Sequence, residues 1–361
     1  MNFKKDILLE NSISKKSFGR TKRGDKISLF ELKNVNGMEV HIINYGCTIT
    51  SIQVPDRKGE LKEVAFGHET MEGYEERNDY FGCIVGRVAN RIGNATFTID
   101  DKTYKLAKND KSNGLHGGYA GFDKQLWDAE PFEELEATGV VLTYLSRDGE
   151  EGYPGELKCK VTYSLNNNNE LRIEYHGITS KKTVLNLTNH TYFNLLDGGA
   201  TSILNHKLQI NASYYTPIDD RLITTGEIAP VVNTPFDFRK PKTIGKEIED
   251  ENKQLKNGLG YDHNFILDKE DDILDLVATV VEPSSGLTLE VYTTEPGLQL
   301  YSGNFLKGDI KGKKGVIYKH RNGFCLETQH FPDSPNKPQF PSIELNPGED
   351  FKSITIYRFE G

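Results

Sequence analysis

Apolar and polar residues alternate with a period of two in many short stretches of this chain. Examples are Met38-Glu39-Val40-His41-Ile42, Thr96-Phe97-Thr98-Ile99, Leu171-Arg172-Ile173-Glu174-Tyr175 and Ile354-Thr355-Ile356-Tyr357. Successive side chains of a strand leave opposite faces, so this alternation predicts strands with one face buried. Turn formers separate the runs: Asn36-Gly37, Asp100-Asp101, Asp148-Gly149 and the polar stretch from Asn166 to Asn169 stand where antiparallel hairpins would reverse. Helical period is scarce and is confined to residues 70–77 and 246–256. The pattern predicts a mainly β protein, and two stacked sheets are the natural way for so many half-buried strands to hide one face each. No fixed-period repeat, low-complexity tract or long linker divides the chain, so residues 1–361 are read as a single domain. The four prolines of residues 332–341 argue for an ordered loop rather than a hinge. The first ~40 residues are assigned a β-hairpin role.

Composition narrows the partners. A net charge of −9 argues against nucleic acid or an anionic membrane surface, because phosphate binding needs a basic face. The strongest basic cluster, Lys311-Gly312-Lys313-Lys314, reads as a solvated loop. Cys47, Cys83, Cys159 and Cys325 are widely spaced, with no C-x-x-C pair, and read as reduced residues packed in strands. The apolar run Ile7-Leu8-Leu9 is far too short for a signal-peptide core or a membrane span, so a cytoplasmic protein is expected. The chain holds 17 Tyr and 18 Phe against one Trp, and most of these rings sit at strand periodicity, as core or cross-strand pairs.

Two distant segments offer chemistry. Asn189-His190-Thr191-Tyr192-Phe193-Asn194-Leu195 presents an imidazole, and Gly323-Phe324-Cys325-Leu326-Glu327-Thr328-Gln329 presents a carboxylate between apolar neighbours, the residue types that acid/base catalysis uses most. Taken singly, His190 could be a hydrogen-bonded core residue and Glu327 a charge at a strand end. Four more segments of the same kind stand in fixed order along the chain: Gly86-Arg87-Val88-Ala89-Asn90-Arg91-Ile92, Leu115-His116-Gly117-Gly118, Gly260-Tyr261-Asp262-His263-Asn264-Phe265, and Glu295-Pro296-Gly297-Leu298-Gln299-Leu300-Tyr301-Ser302-Gly303-Asn304. Together the six resemble the aldose 1-epimerase (galactose mutarotase) family, from Asn44 to the C-terminus. The resemblance implies an all-β fold, a large antiparallel β-sandwich of the galactose mutarotase-like supersandwich type, with a sugar site on a concave sheet face. It also implies an isomerase that interconverts the α and β anomers of free aldohexoses such as D-galactose and D-glucose.

That reaction must take the proton from the C1 hydroxyl and deliver one to the ring oxygen, so that the ring opens to an aldehyde. Rotation about C1–C2 and the reverse transfers then give the other anomer. Glu327 is the expected base, because the apolar flank Cys325-Leu326 would limit its hydration and raise its proton affinity, an effect that a nearby cation would oppose. His190 is the expected acid, since imidazole donates protons near neutral pH. Both match the family's catalytic positions.

The resemblance further assigns Asn90, Arg91, His116, Tyr192, Asp262 and Gln299 to substrate binding, with amide, guanidinium, imidazole and carboxylate groups suited to hydroxyls. Asp262 could instead be a turn residue, and the adjacent His263 raises a metal-ligand reading that lacks a third ligand. Tyr192 should share a face with His190 if the segment is a strand. Gly117 and Gly118 would allow a tight turn behind His116, and Arg87 reads as structural. No metal and no cofactor are expected, because the reaction needs only proton transfer and the chain has no H-E-x-x-H, Walker A or paired-cysteine signal. The expected partner is a small-molecule aldose, met by a monomer or homodimer. Three rivals share parts of this pattern: a glycoside hydrolase, which needs two flanking carboxyl groups, a hexose-phosphate epimerase, which needs a cationic cluster, and a sugar-binding protein without turnover.

Overall fold

A computed structural model describes residues 11–77 and 79–361; residues 1–10, with the Ile7-Leu8-Leu9 run, lie outside the described residues. The alternating runs are strands. Glu39–Ile43, Thr96–Ile99, Glu170–Thr179 and Phe351–Glu360 contain the four predicted stretches almost entirely. The turns follow from local chemistry. Asp100 and Asp101 both take positive φ (46° and 62°), as a two-residue hairpin turn of type I′ requires. Asn166 Oδ1 accepts from the amides of Asn168 and Glu170, closing the next hairpin. At the N-terminal end, Ser12–Arg20 pairs antiparallel with Lys26–Lys33, forming the expected hairpin.

The architecture is nearly all-β and antiparallel, but the described residues form three principal sheets rather than two. Nine strands form the largest sheet, in the order Asp128–Glu133, Ala137–Ser146, Leu157–Asn166, Glu170–Thr179, Phe351–Glu360, Thr288–Thr293, Asp275–Val281, Lys207–Ile210 and Lys242–Thr243. Six strands form the second: Tyr192–Phe193, Phe324–Gln329, Gly297–Tyr301, Asp262–Leu267, Ala212–Thr216 and Ala229–Pro230. The N-terminal hairpin extends into a five-stranded third sheet ending at Leu61–Glu63. One apolar cluster joins all three, running from Phe30 and Val40 through Val161 and Tyr163 to Phe193, Leu300, Leu326, Tyr357 and Phe359. Phe193 is the clearest junction between the six- and nine-stranded sheets, with its ring 5.1 Å from Tyr357 and 6.4 Å from Phe359. The Thr328 and Thr355 hydroxyls meet at 2.5 Å across the same gap.

Several expectations are corrected. Residues 70–77 do contain a helix, Met71–Glu76, which buries Met71 and Tyr74 against Phe18. In residues 246–256 only the end is helical: the helix is Lys253–Gly258, opened by Asn252, whose side chain accepts the Gln254 amide, and closed by Leu259 in the left-handed region. Residues 246–252 instead follow turns. All four cysteines are free and buried, but only Cys159 and Cys325 lie in strands; Cys47 occupies a turn and Cys83 directly follows one. Lys313 is not solvated, because its ammonium donates to the Thr50 carbonyl and pairs with Glu63 at 2.9 Å, tying the basic loop to the N-terminal sheet. Among the described residues no helix is long and apolar enough to cross a membrane.

Phe193→Ala should therefore lower unfolding stability by about 3–5 kcal/mol, the usual cost of removing a buried phenyl group. Chemical denaturation would measure it, and a loss under about 1 kcal/mol would mean that the two sheets are joined elsewhere.

Candidate active site

The site is built on the outward face of the six-stranded sheet. In Phe324–Gln329 the side chains of Phe324, Leu326 and Thr328 turn toward the nine-stranded sheet, which leaves Cys325, Glu327 and Gln329 on the opposite face. Cross-strand pairing aligns two rows there. Tyr192, Cys325, Tyr301 and Asp262 form one, and Glu327, Gln299 and Asn264 the next. Asp262 is thus a strand residue, not a turn, and Glu327 stands mid-strand.

His190 lies between two short strand segments, and its backbone amide donates to the Cys83 carbonyl at 2.9 Å. The segment is too irregular to be one continuous strand, yet the His190 and Tyr192 rings do share a side and stack with centroids 5.1 Å apart. The imidazole Nε2 is 3.7 Å from Glu327 Oε1, and Nδ1 is 3.7 Å from Cys325 Sγ. At 3.7 Å no direct hydrogen bond joins imidazole and carboxylate, and both heads converge on the same space.

Two loops form the facing wall, and each holds the other. The Asn90 amide donates to His116 Nδ1 at 3.1 Å, and the His116 amide donates to the Asn90 carbonyl at 3.1 Å. Both residues are in the left-handed region, with φ of 62° and 49°. A backbone N–H can only donate, so His116 Nδ1 is an acceptor and the ring proton sits on Nε2. The turn behind it depends on Gly117, where φ is +91° and a Cβ would lie 1.7 Å from the Gly86 carbonyl oxygen. Arg91 donates from Nε to Asp110 at 2.7 Å, and its Nη1 lies 3.8 Å from Asp262 Oδ2. Gln299 Nε2 donates to Asp262 Oδ1 at 2.6 Å.

His190, Glu327, Asn90, Arg91, His116, Tyr192 and Asp262 line one open cavity of about 510 Å³, a size suited to a small molecule. Gln299 does not line it and reaches it through Asp262. A larger depression of about 780 Å³ between Asn233 and Asp250 holds none of these side chains. Arg87 is elsewhere too, its guanidinium donating to Ser146, Arg147 and Pro154. His263 is fully committed, with Nδ1 accepting from the Asp262 amide and Nε2 facing Gln254 Oε1 at 3.2 Å, so it offers no metal a nitrogen.

The structure also brings Tyr80, Tyr301, Phe305, Arg77, Lys111 and Lys307 to the cavity. Sequence reasoning missed them. Tyr80 rests between the His116 and His190 rings at 4.7 and 5.7 Å, but it comes from a loop with no period or motif. Tyr301 lay inside a quoted segment, and its strand spacing from Gln299 could have marked it.

Burial governs the electrostatics. It raises the Glu327 carboxyl well above the usual carboxylate range; the Asp262 charge adds to this and Arg91 opposes it. The Asp262 carboxyl is also raised by burial, against the pull of Arg91 and the Gln299 hydrogen bond. Burial lowers His190 to about 4 and His116 well below its ordinary value, with the neighbouring His190 and Arg91 contributing to the latter. His190 is therefore neutral near pH 7. His116, His190 and Glu327 place potential ligand atoms within 4.8 Å of one another. They fit a metal poorly, because His116 presents Nε2–H while Nδ1 is held by the Asn90 amide.

Comparison with known proteins gives a consistent picture. The sequence model of the family described as "Aldose 1-epimerase" matches residues 28–358. The galactose mutarotase of Rattus norvegicus is 47% identical over 349 residues, covering 96% of this chain and 98% of that protein. The aldose 1-epimerase of Escherichia coli strain K12 is 38% identical over 340 residues, covering 93% and 96%. Among solved structures, galactose 1-epimerase from Lactobacillus acidophilus superposes with a TM-score of 0.85 at 30% identity, covering 97% of this chain and 99% of that one. An aldose epimerase homologue from C. elegans gives 0.84 at 31%, covering 92% and 98%.

The histidine tautomers can be read directly. Nitrogen-15 spectra should show His116 protonated at Nε2 alone and His190 still neutral at pH 6, titrating only toward about 4. A His190 ring that titrates near 6.5 would mean that water reaches it freely.

Proposed function

The chain belongs to the aldose 1-epimerase family and is an isomerase, and from that premise we propose that it interconverts the α and β anomers of free aldohexoses, D-galactose and D-glucose among them, with Glu327 as base and His190 as acid. The observation that carries this reading is the convergence of the His190 imidazole and the Glu327 carboxylate, 3.7 Å apart and buried, on one cavity. The whole chain is read as one catalytic unit, because a single apolar core joins the three sheets that frame the cavity.

The pair works with one shared proton. With the sugar bound, the Glu327 carboxylate takes the C1 hydroxyl proton while the His190 imidazolium delivers its proton to the ring oxygen. The C1–O5 bond breaks, its electron pair goes to O5, and the C1–O bond becomes the aldehyde carbonyl. Glu327 is then a neutral acid and His190 a neutral imidazole, the form that burial favours. Rotation about C1–C2 presents the other carbonyl face, and the same transfers in reverse close the ring and restore the charged pair. The open-chain step thus coincides with the neutral state of the pair, while Arg91 and the bound hydroxyls offset the cost of the charged one.

The remaining groups suit a polyol. His116 Nε2–H is a fixed donor, Asp262 accepts hydroxyl protons, and Arg91 and Asn90 supply further polar contacts. Gln299 serves substrate binding by holding Asp262. The cations Arg77, Lys111 and Lys307 at the cavity wall make a phosphorylated hexose worth testing as an alternative substrate. Arg77 is partly neutralised by Asp79 at 2.6 Å and Asp309 at 3.4 Å. A phosphate preference would appear as faster anomerisation of glucose 6-phosphate than of glucose.

Polarimetry on freshly dissolved α-D-galactose tests the reading. Glu327→Gln and His190→Gln should each lower kcat by ~10²–10⁴-fold, the usual worth of a positioned proton-transfer group, with sugar binding largely kept. The double variant should be far less impaired than the product of the two effects, because groups that work as a unit are not additive. Near-normal turnover in Glu327→Gln would make the carboxylate structural.

Asp262→Asn should act mainly on binding. An amide keeps the shape but loses a charge-assisted hydrogen bond of about 1.5–3 kcal/mol, which corresponds to roughly a ten- to hundredfold rise in KM. An unchanged KM would remove Asp262 from the sugar site.

A further inference from the structure

Behind the reacting carboxylate the sheet carries polar groups that the chemistry described above does not use. Thr216, Asn264, Gln299, Glu327 and Gln329 occupy the outward face, with Thr216, Asn264, Gln299 and Glu327 in one continuous cross-strand row. Gln329 follows Glu327 by two positions on its strand and shares its face. Every one of these side chains is at least 97% buried. Thr216 Oγ1, both terminal atoms of Asn264, Gln299 Oε1, Glu327 Oε2 and both terminal atoms of Gln329 have no protein hydrogen-bond partner. Those seven atoms are more than half of the thirteen unpartnered buried side-chain atoms among the described residues, and they fall on one patch.

A chance scatter of poorly packed polar atoms would not fall on adjacent positions of four paired strands. A buried polar atom left without a partner destabilises a fold, so seven such atoms together would be a heavy penalty for a natural core. Buried water relieves this penalty where a polar space is large enough, with each molecule making about three hydrogen bonds. Gly297, beside Gln329 and one strand from Asn264, has no side chain, which lets the Asn264 amide close onto the strand. A Cβ there would lie 2.5 Å from Asn264 Oδ1, 2.9 Å from the Gln329 carbonyl oxygen and 3.1 Å from the Phe331 ring.

We infer that Thr216, Asn264 and Gln329, with the inward atoms of Gln299 and Glu327, line a polar annex filled by ordered water, and that Asn264 and Gln329 are positioning residues which act on Glu327 through that water. The inference rests on the proposed role of Glu327 as base. Glu327 Oε1 faces His190 and the cavity, whereas Oε2 is fully buried and has no protein donor. Water held by the Asn264 and Gln329 amides supplies donors to Oε2. A donor to the charged form stabilises it, so the annex pulls the carboxylate's proton affinity down, in the same direction as Arg91 and against burial. Gln299 links the annex to the substrate side: its Nε2 is committed to Asp262, and its Oε1 accepts from the same water.

The decisive variants are Asn264→Leu and Gln329→Met, which keep the volume and remove the polar atoms. Loss of donors to a carboxylate raises its proton affinity, so the limb of the kcat/KM profile against pH that reports Glu327 should move up by about one pH unit while the His190 limb stays, with KM for galactose changed less than twofold. Asn264→Ser, which keeps a hydroxyl, should return the Glu327 limb most of the way. A merely structural role would lower kcat equally at every pH and leave the limbs in place, and that result overturns the inference. Should the variants fail to fold, a high-resolution crystal structure of the unaltered protein decides the matter. Water within hydrogen-bonding distance of Glu327 Oε2 and of the Asn264 or Gln329 amide supports the annex, whereas amides bonded directly to one another with no water overturn it. Failure of the base assignment is distinct, because it shows as near-normal turnover of Glu327→Gln whatever the water structure.

Discussion

Neighbouring side chains of a strand must leave opposite faces of the sheet, and in Phe324–Gln329 this constraint ties the site to the core. Phe324, Leu326 and Thr328 are set in the interface with the nine-stranded sheet, so Cys325, Glu327 and Gln329 have no choice of face. A slip of one residue would drive Glu327 into hydrocarbon and lift Leu326 into the polar cavity, a double penalty that fixes the register. The same argument extends across the ladder. Leu298 and Leu300 hold Gln299 and Tyr301 outward, and Phe265 holds Asp262 and Asn264 outward. Site geometry is therefore set by apolar packing on the hidden side of the sheet.

That coupling explains what could be read from the sequence. Period-two alternation and turn residues located the strands and hairpins because both signals are local: Asp100-Asp101 announces its own turn, and Ile354 to Tyr357 its own strand. The helix expected in residues 246–256 shrank to Lys253–Gly258, because the Asn252 cap allows a helix to start only after it. Lys313 was misjudged for the opposite reason, since its partner Glu63 lies 250 residues away in another sheet and leaves no local trace. The third sheet was invisible for the same cause. Of the site, the segments that resembled a known family supplied every residue named in advance, and seven of those eight line the cavity. Tyr80, Lys111 and Lys307 arrive on irregular loops whose placement depends on tertiary packing, and Arg77 closes a short helix whose period says nothing of the cavity. Gln299 was expected to contact substrate and instead meets Asp262, a pairing that only the cross-strand geometry shows.

The buried histidines sharpen the picture of which group can move a proton. His116, His206 and His263 each accept a backbone N–H at a ring nitrogen, from Asn90, Leu195 and Asp262 respectively. Protonating such a ring would turn an acceptor into a donor pointed at a donor, so burial and hydrogen bonding both hold these imidazoles neutral. They are fixed parts of the wall and core, and His116 gains from this a permanently oriented Nε2–H at the cavity. His190 has no backbone donor at either ring nitrogen. Its ring faces Cys325 Sγ on one side and Glu327 on the other, so burial alone keeps it neutral, and a neighbouring carboxylate can offset burial once a ligand adds polar groups to the site. Of His116, His190, His206 and His263, the imidazole free of a backbone donor is thus the one beside the carboxylate whose own proton affinity burial has raised. Two groups whose environments push their proton affinities toward each other can exchange a proton at small cost, and exchange at small cost is what a reaction that runs equally in both directions requires.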